Sequence, residues 1–248
     1  MRLPILLAVC LLATNALADP ISAERPGFAS GPVPLADGVN QLELGYQAND
    51  SDSFDVHTLP LLLYRRGIGD NLELQIGWAG YNEIELPAGG DIDGFSDMSI
   101  GVKSQFDAGN DGPADIGWFA GVSLPLGSNE FSSDAIDPTV GIFWTHAADN
   151  QLPLFGTILL SSTTVVGDRT LAGGVSAGTS FSLDEKRGLY VELFTLFSEG
   201  SGPAHTINGG LTYLVNNDMQ LDIEAGFGLN DRADDFFFGM GLAKRWQP

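Results

Sequence analysis

One cysteine, Cys10, is all the thiol chemistry this 248-residue chain contains. It falls in an amino-terminal stretch that reads as a signal peptide: Arg2, an apolar run from Leu3 to Leu12, and the small-x-small ending Ala16-Leu17-Ala18, with cleavage expected before Asp19. A mature chain without cysteine has no internal disulfide to hold it, although secretion takes it to an oxidising compartment. Val9 ahead of Cys10 does not suit a lipoprotein signal, which needs a small residue there. Bases are scarce too. Lys and Arg total 11 against 32 Asp and Glu, a formal charge of −21, and removal of Arg2 makes the mature chain one unit more negative. That balance argues against nucleic acid as a partner. Past the signal peptide no window approaches the roughly 18 apolar residues that a membrane helix needs. A membrane reading must therefore rest on strands.

What the sequence does have is alternation. Leu42, Leu44 and Tyr46 alternate with Gln41, Glu43, Gly45 and Gln47; Leu72, Leu74, Ile76 and Trp78 alternate with Glu73, Gln75, Gly77 and Ala79. The pattern recurs in 98–106, 116–124, 140–144, 171–181, 207–213, 219–229 and 236–246, and more weakly in 54–65, 152–161 and 189–197, where both faces carry apolar residues. Segments of about ten residues with one oily face have the length of a tilted strand crossing a bilayer. Lipid offers backbone groups no hydrogen bonds, so such strands persist only in a closed sheet. The expected fold is an all-β, transmembrane, antiparallel up-and-down β-barrel of about 12 strands, occupying 39–248 after a signal peptide at 1–18 and a periplasmic or lumenal segment at 19–38. Tyr46, Tyr64, Trp78, Trp118, Trp144, Tyr213, Phe236 and Trp246 on the oily face suit interfacial girdles, which a soluble barrel with an apolar interior would not show.

Connections alternate as outer-membrane barrels require, with short periplasmic turns and longer outer loops. Tight connections are expected at 67–71, 148–151, 184–188 and 215–218, a somewhat longer one at 107–113, and outer loops at 49–53, 82–94, 127–135, 164–169, 199–203 and 230–235. Both termini then lie on the periplasmic side. The last strand, with Phe236, Phe238, Met240, Leu242 and Trp246, is similar to the terminal signal read by the outer-membrane insertion machinery, although Lys244 stands where another aromatic is usual.

Parity assigns Glu43, Arg65, Glu73, Lys103, Glu192, Asp222, Glu224 and Arg245 to the lumen, toward the periplasmic half, as one charged belt with an acid surplus. Arg65 and Glu73 flank a tight turn and are expected to pair across strands, because buried charges need partners. The segment 19–38 is too polar and proline-rich for a strand. It is expected to fold into the lumen as a plug, with Arg25 as the fork-shaped cation for the acids, Pro26 as a bend and Phe28 as an anchor. The acidic outer loops read as solvated surface, with divalent cations and lipopolysaccharide phosphates as a less favoured role. His57, inward by parity, His146 and His205 form no evident triad or metal cluster, so neither catalysis nor a cofactor is expected.

Several runs together resemble the outer-membrane transporter family named for the meta-pathway of phenol degradation: Ile21-Ser22-Ala23-Glu24-Arg25-Pro26-Gly27-Phe28, Leu59-Pro60-Leu61-Leu62-Leu63-Tyr64-Arg65, Gly69-Asp70-Asn71-Leu72-Glu73-Leu74, 94–103, 123–128, 208–214 and 220–231. Glu24 replaces the more usual aspartate before Arg-Pro. The resemblance spans essentially the whole mature chain. It implies passage of small hydrophobic or aromatic solutes across the outer membrane of a Gram-negative bacterium, with membrane lipid and lipopolysaccharide around the barrel; diffusion is the expected mechanism, because the sequence shows no nucleotide site and no energy-coupling box. The alternatives are a closed-lumen structural or stress-related barrel without transport and, third, a lipid-processing enzyme.

Overall fold

The computed structural model describes residues 19–87, 89–106, 113–147 and 151–247. The signal-peptide expectation for 1–18 and most of the turns expected at 107–113 and 148–151 lie outside these residues. Fourteen extended segments follow one another: β1 (Asn40–Asp50), β2 (Asp55–Gly67), β3 (Glu73–Trp78), β4 (Tyr81–Glu85), β5 (Asp91–Phe95), β6 (Met98–Phe106), β7 (Ala114–Leu124), β8 (Asp137–His146), β9 (Leu154–Val165), β10 (Asp168–Ser182), β11 (Arg187–Ser198), β12 (Ala204–Asn216), β13 (Met219–Gly228) and β14 (Phe236–Trp246). Each pairs antiparallel with its neighbours, and β14 returns to pair with β1, Asn40 opposite Trp246 and Asp50 opposite Phe236. β3 and β4 lie end to end along β2, and β5 and β6 continue the same way alongside them. The result is a closed antiparallel barrel of 12 strands. Closure of β14 on β1 pairs the strands of the wall around the barrel; β5, by the long loops, has a ladder partner only in β4.

Burial is inverted relative to a soluble protein. The largest fully buried side chains are Arg65, Lys103, Gln41, Glu43, Glu73, Glu192 and Thr157, whereas Ile100, Val140, Ile158, Leu193, Leu211, Ile223 and Met240 are exposed on the outer wall. That distribution fits a bilayer as the solvent outside and a polar packing inside. Among the described residues no helix is long and apolar enough to cross a membrane.

Two expectations need correction. The stretch 82–94, read as an outer loop, instead contains the paired segments β4 and β5. Glu83 stands opposite Asp93 and Glu85 opposite Asp91, so the backbone ladder continues while the oily alternation stops, and periodicity loses the strand there. His57 is outward, not inward: it stacks on Tyr46, ring centroids 6.1 Å apart, and its Nδ1 lies 2.7 Å from the Tyr46 hydroxyl. The cause is a bulge. Register passes from Gly45–Leu61 to Gln47–Thr58, so Leu59 and Pro60 together face a single residue of β1 and the parity of β2 changes. Gly80, between β3 and β4, accommodates this kink with a φ of +50°; a Cβ there would stand 2.5 Å from the Pro60 carbonyl oxygen.

Candidate functional site: a segment folded into the barrel

Residues 19–38 enter and leave the barrel at the rim that carries the short turns. Ile21 N donates to the Asn217 carbonyl (2.7 Å) on the way in, and Gly38 N donates to the Gly67 carbonyl (3.1 Å) on the way out. Between these ties the chain forms an irregular loop inside the lumen. Such a backbone, removed from water and from any ladder, must find partners for its amides elsewhere. Lumenal side chains supply them. Glu43 accepts from the amides of Glu24 and Arg25 (3.1 Å each), Glu224 from Gly27 (2.9 Å), Glu192 from Phe28 (2.9 Å) and Glu73 from Leu35 (2.7 Å). Thr157 Oγ1 accepts from Ser30 N (3.1 Å). The acid surplus of the lumen is thus used largely on backbone N–H groups.

The charged residues do not form one continuous belt. On the wall of β1, β2, β3 and β6, Arg65 makes a bidentate pair with Glu73 (Nε–Oε1 2.8 Å, Nη2–Oε2 2.9 Å) and also meets Glu43 (3.2 Å) and Glu24 (2.8 Å). The pair is diagonal, because register sets Arg65 opposite Gln75 and Glu73 opposite Gly67. Lys103 closes the cluster against Glu24 (2.5 Å) and Glu73 (3.6 Å). Burial alone would raise the Glu24 pKa, but the Arg65 and Lys103 charges outweigh it and hold the carboxyl well below 4.5, at about 2. A second cluster joins Arg25 to Asp222 (3.3 Å) and Glu224 (3.7 Å) on β13. Arg245 is apart from both, paired with Asp218 (3.0 Å) at the turn rim and donating to the carbonyl of Asp19 (2.5 Å).

Arg25 is seated by glycines. Gly45 and Gly241 stand directly opposite each other on β1 and β14, and a Cβ on either would lie 2.4 Å from an Arg25 guanidinium atom. Those glycines occur in the sequence as ordinary lumen-side members of the alternation, so their role as a slot was not legible there.

The opposite wall, β8 to β12, has a different character. Phe28 reaches toward the long-loop rim and stacks on Phe194, centroids 5.2 Å apart and planes 12° from parallel; Phe194 in turn meets Phe237 at 6.4 Å. These rings, with Asn208 and Glu224, line a cavity of about 290 Å³ on the loop side of the segment. A second cavity of about 370 Å³ lies on the turn side, bordered by Arg25, Phe155, Tyr190 and Glu192. The Tyr190 hydroxyl lies 3.0 Å from the Asn208 side-chain amide and donates to Glu224 (3.1 Å). Tyr190, Phe194, Phe237 and Asn208 were not singled out from sequence. The available signal was the weak alternation of 189–197, whose second apolar face is this lumenal aromatic surface.

Among the described residues no group of three or more His, Cys, Asp or Glu side chains is arranged to hold a metal ion. The His205 ring Nδ1 lies 2.8 Å from the Thr195 hydroxyl, and its backbone N donates to Asn230 Oδ1 (3.1 Å).

The fold is similar to that of the COG4313 outer membrane channel from Pseudomonas putida F1, with 15% identity over 87% of this chain and 98% of that one and a TM-score of 0.63. The KdgM porin, solved in complex with disordered oligogalacturonate, aligns at 11% identity over 82% and 98% of the two chains with a TM-score of 0.49. These neighbours are channels and porins. No curated protein matches the chain. Residues 23–246, nearly the whole of the described barrel and the segment inside it, match the family described as "Putative MetA-pathway of phenol degradation", and the chain belongs to that family.

Proposed function

We propose that this outer-membrane barrel admits small apolar or aromatic solutes by diffusion, and that the segment 19–38 narrows the lumen and sets the route. The observation that carries the reading is the contrast across the segment. One side is filled by the Glu24–Arg65–Glu73–Lys103 cluster, while the other has the stacked Phe28 and Phe194 between cavities of about 290 and 370 Å³. Aromatic faces bind apolar rings at small entropic cost and impose no charge requirement. By the usual orientation of such barrels the long-loop rim faces outward and the short-turn rim faces the periplasm. A solute would therefore meet the phenylalanines first. Exposed Ile, Leu and Val around the wall support lipid and lipopolysaccharide as the surroundings.

The experiment is uptake of an aromatic hydrocarbon by a deletion strain complemented with wild type or with Phe194→Ala/Phe237→Ala. The reading expects uptake restored by wild type and reduced by the double variant; no difference between deleted and complemented strains contradicts it. A closed-lumen structural barrel is the second reading, favoured by the density of the ion-paired cluster, and it expects no solute flux in liposomes at all.

A further inference from the structure

We propose that the turn-side end of the barrel seam, where β2, β1 and β14 lie side by side, is a binding site on the outer wall for the headgroup phosphate of an anionic phospholipid, with Arg66 and Lys244 as the residues that hold it. The site is independent of the solute route. It needs only the usual orientation of such barrels, with the short turns at the periplasmic leaflet.

Lys244 interrupts the oily face of the closing strand. Its neighbours Ala243 and Arg245 are buried toward the lumen, so the Lys244 side chain leaves the sheet on the lipid side. Register builds a patch of two rows around it. Arg66, Asn40 and Trp246 stand abreast nearest the turns, and Tyr64, Leu42 and Lys244 stand abreast two residues further along β1. The two cations thus occupy one pair of diagonal corners and the two aromatic rings the other. Asn40, buried beneath them, accepts at Oδ1 from the Tyr64 hydroxyl (2.7 Å) and from Arg66 Nη1 (2.9 Å), which draws the guanidinium over β1 toward the strand of Lys244. A cation on a lipid-facing wall needs a counter-charge or a path to the interface, and the protein supplies no counter-charge here. Among the described residues the Lys244 ammonium has neither an ion pair nor a hydrogen bond, and Arg66 has only the Asn40 oxygen. Acids of the same rim are used elsewhere, Asp37 by the Gly69 amide (2.6 Å) and Asp218 by Arg245 (3.0 Å), while Asp70 is exposed in the turn. In a chain with 32 acids for 11 bases, two neighbouring bases without a carboxylate are an exception that a ligand anion explains. A lipid phosphate supplies the missing charge, with the Arg66 fork and the Lys244 point charge as its donors and Tyr64 and Trp246 at headgroup depth beside it. An anionic lipid is favoured over a zwitterionic one because it brings no headgroup cation against Arg66 and Lys244.

The test uses the purified full-length mature barrel in detergent and native mass spectrometry with palmitoyl-oleoyl phosphatidylglycerol, the phosphatidylcholine of the same chains, and sodium phosphate. One phosphatidylglycerol is expected to be held about tenfold more tightly than phosphatidylcholine, the scale of one charge-assisted hydrogen bond, and phosphate at the same concentration should not displace it. Arg66→Gln/Lys244→Gln should bring phosphatidylglycerol down to the level of phosphatidylcholine. Lys244→Met, which continues the oily face of the strand, should remove most of the preference and serves if the double variant does not fold. Lys186→Gln, on another turn of the same rim, should leave the preference unchanged. Equal retention of the two lipids by the wild type overturns the ligand class, and a preference that survives in Lys244→Met overturns the location. An equal loss in Lys186→Gln marks general rim charge in place of a site; displacement by phosphate marks a site for a free anion and overturns the lipid as its occupant.

Discussion

The two walls of the lumen grip the inserted segment by different means. On β1, β2, β3 and β6 the contacts are ionic and shared: Arg65 alone meets Glu24, Glu43 and Glu73, and each carboxylate also serves a backbone amide or a second cation. On β8 to β12 the contacts are a ring stack, single amide–carboxylate bonds and cavities. An ion network of buried charges is stiff because losing one member leaves the others uncompensated. Stacked rings can slide or turn at small cost. The comparison teaches that one short loop is held by an ion network on one side and by a ring stack and single hydrogen bonds on the other, with Arg25, Pro26 and Gly27 between them; on the proposed channel reading, passage follows the second side.

The largest effect that would sharpen this contrast is the loss of Arg65. Arg65→Ala leaves Glu24, Glu43 and Glu73 without their common cation and should destabilise the barrel by about 3–5 kcal/mol, read as a lower urea midpoint for the heat-modifiable folded band. A midpoint unchanged from wild type would mean that the ionic wall does not anchor. Next in size is Gly241→Val. Its side chain would occupy the Arg25 slot, an overpacking cost of about 1–3 kcal/mol, and single-channel current should rise as Arg25 is pushed away from Asp222. Phe28→Ala on the aromatic wall comes third, at about 0.5–1.5 kcal/mol for the lost stack, with reduced aromatic solute uptake and little change in the urea midpoint. If Phe28→Ala proves as destabilising as Arg65→Ala, the two walls do not differ as described.

The last effect is read against pH. Glu24 faces Arg65, Lys103 and the Gly31 amide, with Glu43 and Glu73 on the neighbouring strands. Its folded-state pKa lies at about 2, below the ordinary 4.5. The stabilisation from its charge is therefore complete above about 4.5 and is lost only as pH falls toward 2. Glu24→Gln should already be less stable than wild type at pH 7, and the difference between the two should be the same at pH 7 and pH 5. It should shrink between pH 4 and pH 2. A difference that collapses between pH 7 and 5 would place the titration on some other group.

Much of this was legible because strand parity is a strict code. Leu42, Leu44 and Tyr46 could only share a face, and so could Glu43 and Gln41; the acid-rich inner face and the oily outer face follow directly. The code failed where its period was interrupted. At Leu59-Pro60 a bulge reversed the parity of His57, and beyond the bilayer β4 and β5 keep their ladder after the oily residues end. The contacts of segment 19–38 were less accessible for another reason. Which carboxylate accepts from which amide, and that Gly45 and Gly241 meet around one guanidinium, depend on register between strands far apart in sequence. Parity does place Tyr190 and Phe194 inward, on the face of Glu192; what it could not show is that Phe28 stacks on Phe194 and that Phe237 of β14 meets the same ring.

The central claim is that the segment inside the barrel governs passage. Single-channel conductance of a variant lacking residues 24–34, compared with wild type in the same bilayer, tests it most directly. The account predicts a several-fold larger current through a barrel that remains folded. Equal currents from the two proteins would contradict it.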